Sequence, residues 1–265
     1  MKMKKIFFTL FVTILLISCK KEPKEIGNKS SSESSTDTTK YETNGVFSIG
    51  KPIGKFGNGV TDIDGTKYRT VIIGTQEWMG ENLKTIKYND GTLIPNVKDS
   101  LNNEWMKLRT GAWCYYNNDE KYNTKYGKLY NWYVTNPTTN GNKNVCPTGW
   151  HVPTDGEWTT LINYLGGGFT SGGKMKEVDT TNWISPNINA SNTSLFNALP
   201  GGFRFYDGGS WSSIYDSGYF WTSSEDTNYT DRKIGRAIVL TAFSGNTSTY
   251  SDLKEMGYSI RCIKD

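Results

Sequence analysis

The sequence predicts an α+β domain of mostly antiparallel strands with two helices and long loops. Two observations carry that class. Short apolar stretches bounded by Gly, Asn and Asp turns occupy both ends of residues 46–265. Between them, Asp155–Leu165 has a helical period with start and stop signals at its ends. The order of strands, then helices, then strands gives α+β. No repeat at a fixed period is present.

The chain begins with a leader. Lys2, Lys4 and Lys5 precede the apolar run Ile6–Ile17, which ends in Leu16-Ile17-Ser18-Cys19. This is the layout of a bacterial secretion signal with a lipoprotein processing site. The run falls short of the ~20 apolar residues that span a bilayer. Residues 1–18 are therefore expected to be a signal peptide, and Cys19 to be acylated as the new N-terminus. Each buried CH₂ contributes about 0.8 kcal/mol, and one chain holds only marginally. Two or three chains on Cys19 would anchor the protein in a lipid bilayer. The expected location is the cell envelope, at the outer membrane, facing the periplasm or the surface. Residues 19–45 are Lys, Glu, Ser, Thr and Asn with almost no large apolar side chain. They read as a disordered tether, with a coil span of roughly 30 Å.

In the folded part, Val60–Ile63, Asp64-Gly65 and Thr66–Ile73 form a hairpin pattern, because Asp-Gly suits a tight turn. Gln76–Leu83 reads as the next strand and turn, and Asn89-Asp90-Gly91 as another turn. Tyr126–Val134 reads as a short aromatic helix. For Asp155–Leu165, Thr154 is the N-cap and Glu157 completes a capping box. Trp158, Leu161, Ile162 and Leu165 make one apolar face, read as core, and Gly166 is the stop. Strands follow at 203–205, 219–222, 237–240 and 258–263.

Removal of the leader takes away three lysines and no acid, so the net charge falls from +4 to +1. No basic run remains outside it, which excludes the electrostatic footprint of nucleic-acid binding. Nine Trp and sixteen Tyr are many for 265 residues. Large flat side chains serve a core or a surface that stacks on sugars and peptides, and core is the expected role for most. With Cys19 lipidated, Cys114, Cys146 and Cys262 allow one disulfide in an oxidising compartment. Cys146–Cys262 is the preferred pair: it ties the last strand to the segment before the helix and closes a loop of over a hundred residues. The chain-entropy model values such a loop at roughly 4–5 kcal/mol. Cys114, in Ala-Trp-Cys-Tyr-Tyr, is expected to be a free buried thiol.

Six ordered segments carry a resemblance. They are Trp78-Met79 with Glu81-Asn82-Leu83, Tyr126-Gly127-Lys128-Leu129-Tyr130-Asn131-Trp132, and Cys146-Pro147-Thr148-Gly149-Trp150-His151-Val152-Pro153. Gly201-Gly202-Phe203-Arg204, Phe220-Trp221-Thr222-Ser223-Ser224-Glu225 and Gly257-Tyr258-Ser259-Ile260-Arg261-Cys262 follow. Together they resemble the Fibrobacter succinogenes major paralogous domain over about residues 58–265. That resemblance implies lipoproteins and surface proteins of Bacteroidota and relatives. It also implies a fold distantly similar to C-type lectins, including the branch with formylglycine-generating enzymes. The Glu-Pro-Asn and Trp-Asn-Asp calcium signatures of sugar-binding C-type lectins are absent, so their calcium-dependent binding does not carry over. The closely spaced C-terminal cysteine pair of formylglycine-generating enzymes is absent too, since Cys262 stands alone in that region.

Candidate chemistry is sparse. His151 is the one histidine, and a structural role outweighs a catalytic one. Zinc at Cys146 and His151 lacks further ligands. A calcium loop at Asp62 and Asp64 fails, because a loop begun at Val60 has Val71 at its twelfth position. The glycine runs 166–168 and 201–202 lack the Lys-Ser/Thr sequel of a phosphate loop. Glu225–Asp231 packs three acids, an Asn and a Tyr into one loop, suited to calcium or sugar hydroxyls. The expectation is a non-enzymatic, envelope-anchored module binding glycan or protein. No cofactor is expected, with calcium as an optional ligand. Contact candidates are Trp211, Tyr215, Glu225, Asp226, Asn228, Tyr229 and Asp231, placed between strands. An assembly component of an envelope complex is the alternative, and a carboxylate hydrolase a third.

Overall fold

Two five-stranded sheets organise the described residues. The computed structural model describes residues 52–98, 104–207, 209–229 and 233–265. The leader, the tether, Cys19 and Asp231 lie outside the described residues. Among those described, no helix is long and apolar enough to cross a membrane.

Five short strands come first: β1 (Lys55–Phe56), β2 (Val60–Thr61), β3 (Lys67–Tyr68), β4 (Thr70–Ile73) and β5 (Gln76–Met79). The expected hairpin is present as β2 against β3, with Gly65 at φ 84°. It is tightened by buried Asp62, which accepts from the amides of Asp64 and Thr66 and from the Tyr68 hydroxyl. The Asn89-Asp90-Gly91 turn also forms, with Gly91 at φ 87° and its amide donating to the Tyr88 carbonyl.

A loop-rich middle follows. It holds α1 (Glu104–Lys107), β6 (Trp113–Cys114), α2 (Asn123–Tyr126), β7 (Leu129–Tyr130), α3 (Pro137–Asn140) and β8 (Trp150–His151). The single helix expected over Tyr126–Val134 is corrected here. Gly127, at φ 73°, ends α2. The chain then pairs as β7 with β6, and a 3₁₀ turn covers Trp132–Val134. The reason is tertiary: the amides of Lys128, Tyr130 and Trp132 donate to the carbonyls of Leu83, Tyr258 and Lys254. An α-helix would need them for itself.

Helix α4 (Asp155–Tyr164) forms as read. Its capping box is complete, with Thr154 Oγ1 accepting from the Glu157 amide and Glu157 Oε2 accepting from the Thr154 amide. Trp158, Leu161 and Leu165 are fully buried. The longest partner helix is α5 (Gly168–Met175), outside the expected pair. Its glycines are demanded by packing. A Cβ on Gly172 would stand 2.1 Å from the Asn246 carbonyl oxygen, and one on Gly173 2.3 Å from that of Asn189.

The last strands are β9 (Gly201–Arg204), β10 (Trp211–Ile214), β11 (Ser217–Glu225), β12 (Ile234–Thr241), β13 (Ser248–Leu253) and β14 (Ile263–Lys264). One sheet runs β1-β4-β5-β14-β8, and the other β10-β9-β11-β12-β13. Pairing is antiparallel except between β9 and β11. The mixed helix and mostly antiparallel sheet make the class α+β. The stretch 258–263 is regular only at β14. Before that it runs extended, with Tyr258 bridging Tyr130 and Ser259 bridging Phe220.

The central strands β11 and β12 of the second sheet are buried on both faces, with side chains alternating along each strand. Phe220, Ile238 and Leu240 join Trp78, Trp158 and Phe196 on one side. Trp221 and Ala237 join Tyr130, Trp132 and Tyr258 on the other. Cys146 and Cys262 are disulfide-bonded across 116 positions, and Cys114 is free and buried.

Candidate functional site

Five of the sequence candidates are pulled apart by β11. Tyr215 lies in the turn before it, while Glu225 ends it and Asp226, Asn228 and Tyr229 follow. Nine extended residues separate those ends by on the order of 25 Å. Trp211 belongs to neither group. It is a strand residue of β10, half-buried, with its ring 5.1 Å from the Arg204 guanidinium, which also lies 4.1 Å from Trp105. The expectation that these residues all stand between strands is therefore corrected for Trp211 and Glu225: cross-strand packing takes them into the sheet.

At the far end, the described acids are already engaged. Glu225 pairs with Lys254, whose buried ammonium also sits 4.1 Å from the Trp132 ring. Asp226 accepts from the Ser251 hydroxyl, from the Asn228 amide at 3.0 Å and from Asn228 Nδ2 at 2.9 Å. Arg236 stands 3.8 Å away and binds Asp155 at 2.9 Å. The Ser251 bond, then the Asn228 amide, hold the Asp226 carboxyl below its ordinary range. Tyr229 is exposed. Among the described residues, no group of three His, Cys, Asp or Glu side chains is placed to hold a metal.

At the near end, Tyr215 meets an aromatic row that the sequence reading missed. Ring centroids step from Tyr116 to Tyr122 at 5.3 Å, from Tyr122 to Tyr126 at 6.3 Å and from Tyr126 to Tyr215 at 6.1 Å. The 115–126 segment presents these rings through two tight turns. Asn117 and Asn118 both take left-handed φ of 52°, tolerable for Asn. Asp119 then caps the 3₁₀ turn Glu120–Tyr122 by accepting from the Lys121 amide. Tyr215 itself has φ 72°. A bulky residue pays roughly 1–2 kcal/mol there, which the surroundings must hold in place. They do so through Tyr215 N donating to the Pro200 carbonyl and Ile184 N to the Tyr215 carbonyl.

Burial raises the phenols of Tyr116, Tyr126 and Tyr215. Burial, aided by Tyr215, pushes Tyr126 up to about 12, and burial followed by the Tyr122 contact raises Tyr215. Neutral phenols both donate and accept hydrogen bonds. Around them stand Lys121, Lys125, Glu177 and Asn182, the last accepting from the Tyr126 hydroxyl at 3.4 Å. The exposed side chains of Ile184, Ile188 and Phe243 continue the surface. Backbone bonds link their loops, from Ile188 N to the Ala242 carbonyl and from Ala242 N to the Asp216 carbonyl.

An open groove of about 690 Å³ lies elsewhere, along Phe56–Thr61, Lys67–Thr70 and Glu81. It shares no residue with the tyrosine row, and its Arg69 and Glu81 pair with each other at 3.1 Å.

His151 is sandwiched by acids. Nδ1 is 2.6 Å from Asp265 and Nε2 is 2.8 Å from Glu157. Both ring nitrogens are therefore taken by carboxylates. Arg261 is also fully committed: it donates to Asn82 Oδ1 at 2.9 Å and to the carbonyls of Phe196 and Asn197, with its guanidinium 4.3 Å from the Phe196 ring.

The family model for the Fibrobacter succinogenes major domain matches residues 71–264. The chain belongs to that family. No curated protein and no solved structure matches it. Within this Fibrobacter succinogenes major domain, the sequence motifs serve the fold: Asn82 and Arg261 come from two of them and bond each other. The tyrosine row draws on Tyr126 alone among the motif residues.

Proposed function

We propose that the protein is an exported lipoprotein, held in the envelope by acylated Cys19, whose folded module binds glycan without catalysis. The location favoured is the outer membrane. The observation that carries the binding reading is the row Tyr116–Tyr122–Tyr126–Tyr215, which offers the exposed ring of Tyr215 and the half-buried rings and hydroxyls of Tyr116 and Tyr122, packed on buried Tyr126. Sugars use both, stacking their apolar faces on rings and bonding their hydroxyls at the edge. The left-handed φ of Tyr215 adds to this, since strain at a bulky exposed residue is a mark of function. The non-enzymatic reading is supported by His151, whose ring nitrogens both face carboxylates.

A distant C-type lectin-like fold fits the two helices α4 and α5, the long loop from 176 to 200 and the disulfide-bound terminal strand. The test is a glycan array with residues 46–265, read with calcium and with chelator. Binding weakened by up to about tenfold in Tyr215→Gly supports the row as the site. A blank array in both conditions overturns the glycan reading. Weight then passes to a protein partner or an assembly role, which exposed Ile184, Ile188 and Phe243 favour.

A further inference from the structure

The loops beside the tyrosine row are held from below by one side chain. Lys176 stands at the C-terminal end of α5 and is fully buried. Its ammonium donates to three backbone carbonyls, of Ile188 at 2.9 Å, Thr241 at 2.8 Å and Ser244 at 2.8 Å. The Trp183 ring centroid is 5.4 Å from the nitrogen. Among the described residues no acid offsets the charge, and burial pulls the group down to about 8. An ammonium has three N–H donors, so three carbonyls use its capacity in full. Without them a buried charge of this kind is not tolerated.

Each carbonyl comes from a different segment: the loop after α5, the end of β12 and the turn to β13. Each segment then leads to the exposed surface. The Ile188 amide donates to the Ala242 carbonyl at 2.8 Å. The Ala242 amide, next to Thr241, donates to the Asp216 carbonyl at 2.7 Å, beside Tyr215. Phe243 sits between two of the joined positions. Pulling the ammonium out would orphan three carbonyls and release all three segments together.

We infer that Lys176 is a positioning residue, an internal cation in a carbonyl cradle that assembles the loop surface carrying Tyr215, Ile184, Ile188 and Phe243. A bound metal would hold such loops by the same carbonyl contacts, and here the chain supplies the cation itself. The value of that surface rests on the glycan reading; its assembly does not.

The test reads hydrogen exchange at the amides of Ile184, Ile188 and Ala242, without any glycan. In Lys176→Ala these amides should exchange about tenfold faster or more, the loss expected when a buried carbonyl is orphaned. The truncation removes a propylammonium. Added n-propylammonium should restore protection, while tetramethylammonium, which has no N–H, should not. Lys176→Met keeps the apolar stem and should lose the same protection. Calcium and chelator should leave the native protein unchanged. Native protection in Lys176→Met, failure of n-propylammonium to rescue Lys176→Ala, or calcium-dependent protection in the native protein each overturns the proposal. A Lys176→Ala chain that folds only with n-propylammonium supports it. A blank glycan array beside normal exchange results would sink the glycan reading alone.

Discussion

Strand β11 carries a polar loop at one end and an aromatic turn at the other. At the Glu225 end, Lys254, Ser251, Asn228 and Arg236 meet the two described acids. At the Tyr215 end, the Tyr215 ring stands exposed on a left-handed backbone beside half-buried Tyr116 and Tyr122, and burial raises its phenol. The residue types at the acidic end look more like a site in a sequence. Yet charged groups that satisfy one another have little left to offer a ligand, whereas exposed rings can stack without first breaking a bond. The difference teaches that a count of polar residues is a weaker guide than the state of their hydrogen bonds.

The coarsest way to break the comparison is to loosen both ends at once. The double substitution Cys146→Ser with Cys262→Ser frees a 116-residue loop. It should cost about 4–5 kcal/mol on the chain-entropy model, read by urea unfolding. Glycan binding should fall with it. Retained binding at full occupancy in a molten chain would mean that the rings need no scaffold.

Separating the ends is sharper. Asp226→Ala removes the acceptor shared by Ser251 and Asn228 and takes a carboxylate from beside Arg236. The melting temperature should drop by several degrees while glycan affinity stays at the native value. A selective loss of affinity with no change in melting would return the acidic loop to the site. Tyr215→Gly should do the reverse. One stacked ring is worth about 0.5–1.5 kcal/mol, so affinity should weaken up to about tenfold. Stability should hold or rise by up to about 1 kcal/mol, because glycine takes φ 72° without strain. A fall in stability without a fall in affinity would make Tyr215 a core residue.

The two ends also differed in how far sequence could reach them. The helix at Asp155 was legible because its capping box is a local device, with both partners three residues apart. The Asp64-Gly65 turn was legible from local backbone preference, and the disulfide from the long loop that pairing Cys146 with Cys262 closes. Helix α5 was not, because Gly172 and Gly173 lower helix propensity and are explained only by the loops at Asn246 and Asn189 pressing on them. The tyrosine row was half legible. Tyr115, Tyr116, Tyr122 and Tyr126 are dense in the sequence. Their approach to Tyr215 spans about ninety residues and depends on the turn before β11. Trp211 was misread because an exposed-looking Gly-Gly-Ser-Trp stretch gives no sign that Arg204 waits across the strand pair.

The finest distinction between the ends is in their response to pH. The clasp Asp265–His151–Glu157 fixes the first turn of α4, and Asp155 in that turn reaches Arg236 beside Asp226. It therefore braces the acidic end. Partial burial works against a charged imidazole, but the hydrogen bonds to Asp265 and Glu157 outweigh it and raise His151 above its usual 6.5. A raised histidine gives its full stabilisation below 6.5 and loses it as pH climbs through the folded value. For Glu157, burial also opposes charge, yet the Thr154 amide and hydroxyl and His151 lower it below 4.5. Its contribution is present above 4.5 and lost as pH falls through the folded value. The clasp is thus strongest between about 4.5 and 6.5, as those directions require. Because the ring is a third exposed, solvent screening limits it to about 1 kcal/mol or less, or at most about 2–4 °C in a domain of this size. The melting temperature should fall from pH 5.5 to pH 8.5 by more in the native protein than in His151→Gln. Glycan affinity should stay flat from pH 5.5 to pH 7, since the Tyr126 and Tyr215 phenols are raised and Lys176, pulled down to about 8, still carries its charge there. An affinity that tracked the histidine would couple the two ends of β11 and erase the division of labour between them.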